Sequence, residues 1–244
     1  MRRTAALAFL LMTTIAASAR AEGVTVRFPF EDAERLHPWQ HDGGIAYVTN
    51  ASTAKVPLVV FLHGNNTQAQ IHMWMAGVQD LRPLASKLAS DVGAFVLAAP
   101  SQSKDAANAA TLWDGLDIDD FVAKTASAVG ESAEIDRDRV YVIAHSGAGC
   151  NPSGGITRAA RARVRAVMAL DTCLDEETGK SFAPLTRLWV VWQPKTWPRD
   201  IAAFERGLGY ASVGVRIDSL EIEGQGAHDA IVREGFARAI RTWL

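Results

Sequence analysis

Ser146 stands in the run Ala144-His145-Ser146-Gly147-Ala148, directly after the apolar stretch Tyr141-Val142-Ile143. A serine on a tight strand-to-helix turn is lifted clear of the sheet, provided the residues two before and two after it are small. Ala144 and Ala148 meet that condition, with Gly147 beside them. The pattern nominates Ser146 as a nucleophile. Upstream, Val56-Pro57-Leu58-Val59-Val60-Phe61-Leu62 ends in His63-Gly64-Asn65-Asn66. A loop of this kind can aim backbone N–H groups at the negative charge that acyl transfer builds on a carbonyl oxygen. Asn65 and Gly147 are the candidate oxyanion donors. Downstream, Gly224-Gln225-Gly226-Ala227-His228-Asp229 follows a strand pattern, and the small residues before His228 leave its ring room to turn inward. His228 is the candidate general base. His63 and His145 read as structural: the first holds the loop at a strand end, and the turn directs the second away from Ser146.

These residues need a scaffold that brings three distant segments to one edge. Apolar runs predict strands near residues 24–30, 44–50, 56–62, 94–99, 138–144, 164–170, 187–192 and 213–222, with helical spacing over 84–88, 121–129 and 231–244. Alternation of strands with helices is the pattern of a parallel sheet covered on both faces. The helix expected after Ser146 is interrupted by Asn151-Pro152-Ser153-Gly154-Gly155, where proline and paired glycines shorten or kink it.

Two further segments, Ile118-Asp119-Asp120-Phe121 and Ile135-Asp136-Arg137-Asp138-Arg139-Val140-Tyr141-Val142, together with the serine turn, resemble the α/β-hydrolase family. The likeness is greatest to secreted esterases related to polyhydroxybutyrate depolymerases and feruloyl esterases. It implies an α/β fold with an eight-stranded, mostly parallel sheet, helices on both faces, and hydrolysis through a covalent acyl-enzyme. Only sixteen residues separate Leu170 from Arg187, so no lid domain is expected there. The chain departs from the family pattern at the acid. The usual position lies a few residues beyond the strand Arg187-Leu188-Trp189-Val190-Val191-Trp192, and Thr196 stands there. Asp171, at the end of the strand before, and Asp200, farther along the loop, are the two replacements. Asp171 is preferred because it sits at the carboxyl end of a strand, where such sheets place their sites. Asp200 reads as a helix N-cap before Ile201-Ala202-Ala203-Phe204. Asp175, Glu176 and Asp229 are weaker candidates.

The 244 residues, 48% of them apolar, suffice for a full core. Arg2-Arg3, the apolar run from Ala5 to Ala17 and Ala19-Arg20-Ala21 read as a secretory signal cleaved after Ala21 or Ala19. The expected division is therefore a leader over 1–21 and one catalytic domain over 22–244, with a secreted or periplasmic destination. The apolar run is too short to span a bilayer stably. Without the leader, three arginines are lost, leaving 22 basic against 27 acidic groups and a net charge near −5. No basic stripe points to nucleic acid. Cys150 and Cys173 are the only cysteines; export permits a disulfide between them, which would clamp the Ser146 and Asp171 loops, and two buried thiols are the alternative. Trp113 and Trp197 are candidate substrate-binding residues on surface loops, with core packing the competing use. No metal or other cofactor is expected. His37-Pro38-Trp39-Gln40-His41 has ligand-like spacing, but its proline spoils the helix such a pair needs. The combined reading is a serine hydrolase acting on small-molecule or polymer esters. An amidase or peptidase would use the same parts, and a non-catalytic carbohydrate-binding protein is the reading from another class.

Overall fold

The computed structural model describes residues 23–30, 43–64, 80–101, 113–151, 154–159, 162–183, 187–196, 200–224 and 226–244. The expected leader, Asn65, Trp197 and the His37/His41 pair lie outside these. Eight strands form one open sheet: β1 (Val24–Pro29), β2 (Gly43–Val48), β3 (Val56–Leu62), β4 (Val96–Pro100), β5 (Ile135–His145), β6 (Ala166–Leu170), β7 (Leu188–Trp192) and β8 (Arg216–Ser219). Their spatial order is β1-β2-β4-β3-β5-β6-β7-β8. The β1/β2 and β2/β4 pairings are antiparallel, and all later ones are parallel.

The central strands are apolar at nearly every position because both faces are covered. Side chains alternate between two cores. Leu58, Val60 and Leu62 of β3 join one core with residues of α2 (Ile118–Val129), α4 (Glu176–Phe182) and α5 (Ile201–Leu208). Val59 and Phe61 join the other, with α1 (Arg82–Val92) and α6 (Ala227–Trp243). Phe61, Phe121, Phe182, Phe204 and Phe236 are all fully buried, each contributing about 1.5–3 kcal/mol by its removal from water. No helix among the described residues is long and apolar enough to cross a membrane.

One expectation from the sequence needs correction. The last strand is four residues long rather than ten, because Gly209–Gly214 coils into a 3₁₀ turn and the chain leaves the sheet after Ser219. Gly209, at φ 56°, adopts the left-handed backbone that reverses the chain at the end of α5. The segment after Ser146 is interrupted, as its sequence implies. It is a 3₁₀ turn over Ser146–Gly149, followed by the short α3 (Gly155–Ala159). Its glycines have a packing reason: a Cβ on Gly155 would stand 2.1 Å from the Ala148 carbonyl, and one on Gly154 2.9 Å from that of Trp113.

Helix α6 crosses one face of the sheet from the site edge to the opposite edge. Gly235 lies so close to Leu170 that a Cβ there would stand 2.5 Å from the leucine side chain. Farther on, Trp243 stacks on Tyr141 with ring centroids 5.1 Å apart. These contacts seat the start of α6, and with it His228, beside the ends of β5 and β6.

Candidate active site

Strand β5 delivers Ser146 at its carboxyl end in a left-handed conformation, φ 54°. Such a backbone costs about 1–3 kcal/mol for a residue with a side chain and persists only where neighbours enforce it. The neighbours here are glycines. A Cβ on Gly64 would stand 2.6 Å from Ser146 Cβ, and one on Gly149 would stand 2.3 Å from the Thr172 side chain. The serine turn is therefore wedged between the ends of β3 and β6 with no space for larger residues at 64 or 149.

His228 Nε2 lies 2.9 Å from Ser146 Oγ, and its Nδ1 lies 2.5 Å from Asp171 Oδ2. The carboxylate only accepts, so Nδ1 carries the proton and Nε2 is free to accept from the serine hydroxyl. That is the orientation in which an imidazole takes a proton from an attacking hydroxyl. Asp171 is fully buried and, like Ser146, has a positive φ, 46°. Its Oδ1 accepts from Gln193 N at 2.9 Å. Thr196 Oγ1 lies 3.2 Å from Oδ2 and 3.1 Å from the Gln193 carbonyl, so one hydroxyl proton is shared between two acceptors. Gln193 in turn donates from Nε2 to the Ile222 carbonyl at 3.0 Å, tying the end of β7 to the segment that leads to His228.

Asp200 is elsewhere. It caps α5, its side chain accepting from Ala203 N at 2.8 Å. Among the other carboxylates weighed from the sequence, Asp175 caps α4 by accepting from Thr178 N, and Glu176 faces Lys180 on the surface.

The end of β3, beside the serine turn, is held by two aromatic rings. The Gly64 carbonyl accepts from His63 Nδ1 at 2.8 Å, and the His63 carbonyl accepts from Trp113 Nε1 at 3.1 Å. Burial lowers the His63 pKa to about 4, so the ring is neutral near pH 7. Gly147 is buried in the 3₁₀ turn, at a position where helical backbone leaves N–H groups without an intrahelical acceptor. Trp113 is not on the surface as expected, and takes the competing place in the core. It is 4% exposed, sits at φ 66° and packs edge-on against His63 with centroids 5.0 Å apart. Its indole N–H is committed to the His63 carbonyl and braces the end of β3.

Cys150 and Cys173 are joined by a disulfide with Cα atoms 4.9 Å apart. The bridge links the chain four residues after Ser146 to the chain two residues after Asp171. His145, His228 and Asp229 also offer donor atoms within 4.8 Å of one another. Both ring nitrogens of His228 face Ser146 and Asp171, however, so a cation bound there would displace that arrangement rather than serve it.

Sequence reasoning missed Gln193 and Thr196. The available signal was a hydroxyl residue at the vacated acid position, which has a use if the carboxylate stands one strand away. The hydrogen bond from His145 Nε2 to the His228 carbonyl, 2.9 Å, was also not foreseen.

No family model matches the chain, and no curated protein does. Similar solved structures do exist. The S-formylglutathione hydrolase of Agrobacterium tumefaciens has a TM-score of 0.54 at 11% identity, over 82% of this chain and 90% of that one. The fluorophosphonate-binding serine hydrolase F of Staphylococcus aureus has a TM-score of 0.55 at 10% identity, over 91% and 98%. An S-formylglutathione hydrolase of the same organism has a TM-score of 0.55 at 12% identity, over 91% and 99%. At these identities the likeness establishes the α/β-hydrolase fold.

Proposed function

We propose that the protein is a serine hydrolase that cleaves carboxylic esters through an acyl-enzyme on Ser146. The observation that carries this reading is the file Ser146 Oγ, His228 Nε2, His228 Nδ1, Asp171 Oδ2, with gaps of 2.9 and 2.5 Å, at the carboxyl edge of the sheet. Ser146 attacks the ester carbonyl while His228 takes its proton. The backbone N–H groups of Gly147 and Asn65 receive the charge on the carbonyl oxygen. His228 then returns the proton to the leaving alcohol, and a water deprotonated by the same ring releases the acid. Asp171 keeps His228 in the required tautomer and stabilises the imidazolium between the two transfers.

Esters are favoured over amides by the segments 118–121 and 135–142 and the serine turn, whose resemblance to secreted esterases makes polymer esters and hydroxyaromatic esters the first substrates to try. Fold neighbours named as S-formylglutathione hydrolases add support for acyl transfer. The amino-terminal pattern and the disulfide support export to an oxidising compartment.

Fluorophosphonate labelling tests the reading directly. The wild-type chain should be labelled at Ser146, and Ser146→Ala should lose both the label and about a million-fold in turnover. A wild-type protein that neither labels nor cleaves esters would be a binding protein on this fold. Faster cleavage of matched amides than of esters would make it an amidase or peptidase.

A further inference from the structure

We infer that His145 is a positioning residue, whose Nε2–H, donated to the His228 carbonyl, fixes the backbone that carries the general base. This inference rests on the hydrolytic reading of Ser146, His228 and Asp171.

His145 immediately precedes the nucleophile and is fully buried on the face of β5 that α6 covers. A carbonyl cannot donate, so the 2.9 Å contact with the His228 carbonyl requires the proton to be on His145 Nε2. Nδ1 is then an unprotonated acceptor, and it is buried with no hydrogen-bond partner among the described residues. An orphaned buried polar atom costs about 1–3 kcal/mol, which a phenylalanine or leucine of similar size would avoid. Filling space therefore does not explain a histidine here, whereas the donor to His228 does.

The consequence is mechanical. Residues 145 and 146 hold His228 from both sides: Ser146 meets the ring, and His145 meets the carbonyl at the first turn of α6. Between the Ile222 carbonyl, which Gln193 holds, and the first turn of α6, Gly224 and Gly226 both have positive φ, 100° and 79°, with open space where a Cβ would stand, so no side chain at either position packs the approach to His228. The tether also has to remain uncharged, because the rings of His145 and His228 are 4.6 Å apart and His228 becomes an imidazolium during the reaction. Burial supplies that condition, lowering the His145 pKa to about 3.

Two variants of the full chain separate tethering from filling. His145→Phe keeps a ring and loses the donor; His145→Gln keeps an N–H that can reach a carbonyl. Both should be compared with wild type at equal folded concentration for fluorophosphonate labelling rate and for kcat and KM on p-nitrophenyl acetate. The Phe variant should lose about 10–100-fold in kcat and labelling rate with KM within about twofold, the penalty of a misplaced base. The Gln variant should retain kcat within about threefold of wild type, and the downfield Nδ1 proton resonance of His228 should persist in it and weaken in the Phe variant. Equal activity of the two variants, whether high or low, would overturn the inference while leaving the hydrolytic reading intact. Absence of label in the wild-type chain would remove that reading, and this inference with it.

Discussion

The ends of β6 and β7 lie side by side at the site edge and carry opposite chemistries. Beyond Leu170 the chain presents a buried carboxylate, Asp171, backed by the disulfide at Cys173. Beyond Trp192 it presents neutral donors, the Gln193 backbone N–H and the Thr196 hydroxyl, both directed at that carboxylate. An acid serving His228 has only to place one oxygen against Nδ1, and either strand end can do so. Once β6 supplies it, the β7 loop is released to stabilise the charge and to cap α5 through Asp200. On the hydrolytic reading proposed above, Asp171 acts with the donors of the β7 loop, and the strand that carries the acid follows from which loop holds the donors.

The strongest way to break this comparison is Asp171→Asn. Asparagine fits the same volume but offers an amide where His228 Nδ1–H needs an acceptor, so turnover should fall about ten-thousand-fold with the fold retained. Near-normal turnover would move the acid to another residue. Next in size is the buttress behind Asp171. Replacing Cys150 and Cys173 by serine opens a loop spanning 23 positions, and urea unfolding should register a loss of about 3 kcal/mol. Intact stability in the double variant would mean that the bridge adds nothing to the β6 end.

Thr196→Val tests whether the β7 loop serves the carboxylate. Losing its shared hydroxyl should cost about tenfold in kcat, with KM little changed; an unaltered kcat would reduce Thr196 to a turn residue. The smallest effect belongs to Asp200→Asn. Asparagine caps a helix about as well as aspartate, so stability should change by no more than a few tenths of a kcal/mol and turnover should match wild type. A large loss there, with Asp171→Asn active, would invert the comparison.

Much of this was legible in the chain because periodicity and small-residue spacing are local signals. The strand Val56–Leu62 is observed at its expected bounds, since seven apolar residues buried on both faces leave no ambiguity. The small residues read around Ser146, namely Ala144, Gly147 and Ala148, are all buried in the structure. What escaped depends on contacts between segments far apart in sequence. The roles of Gln193 and Thr196 follow from the approach of β7 to β6, which no window of sequence contains. Trp113 was misread because an indole on a loop is equally suited to solvent and to core, and only the nearby His63 carbonyl decides between them. The last strand was overextended because Val213 to Ile222 alternates like a strand even where Gly209–Gly214 turns it away from the sheet.

The same short last strand bears on how molecules meet one another. An open sheet leaves two rows of unpaired backbone groups, and long flat margins of that kind invite neighbouring copies to zip together. Here β8 offers four residues, with Arg216 and Asp218 paired across its surface, and β1 at the opposite margin carries Arg27 and ends in Pro29. Charge, brevity and a residue without an N–H all oppose edge-to-edge growth, so concentrated solutions of the folded protein are protected from fibrous self-association at the two places where the architecture is most open to it.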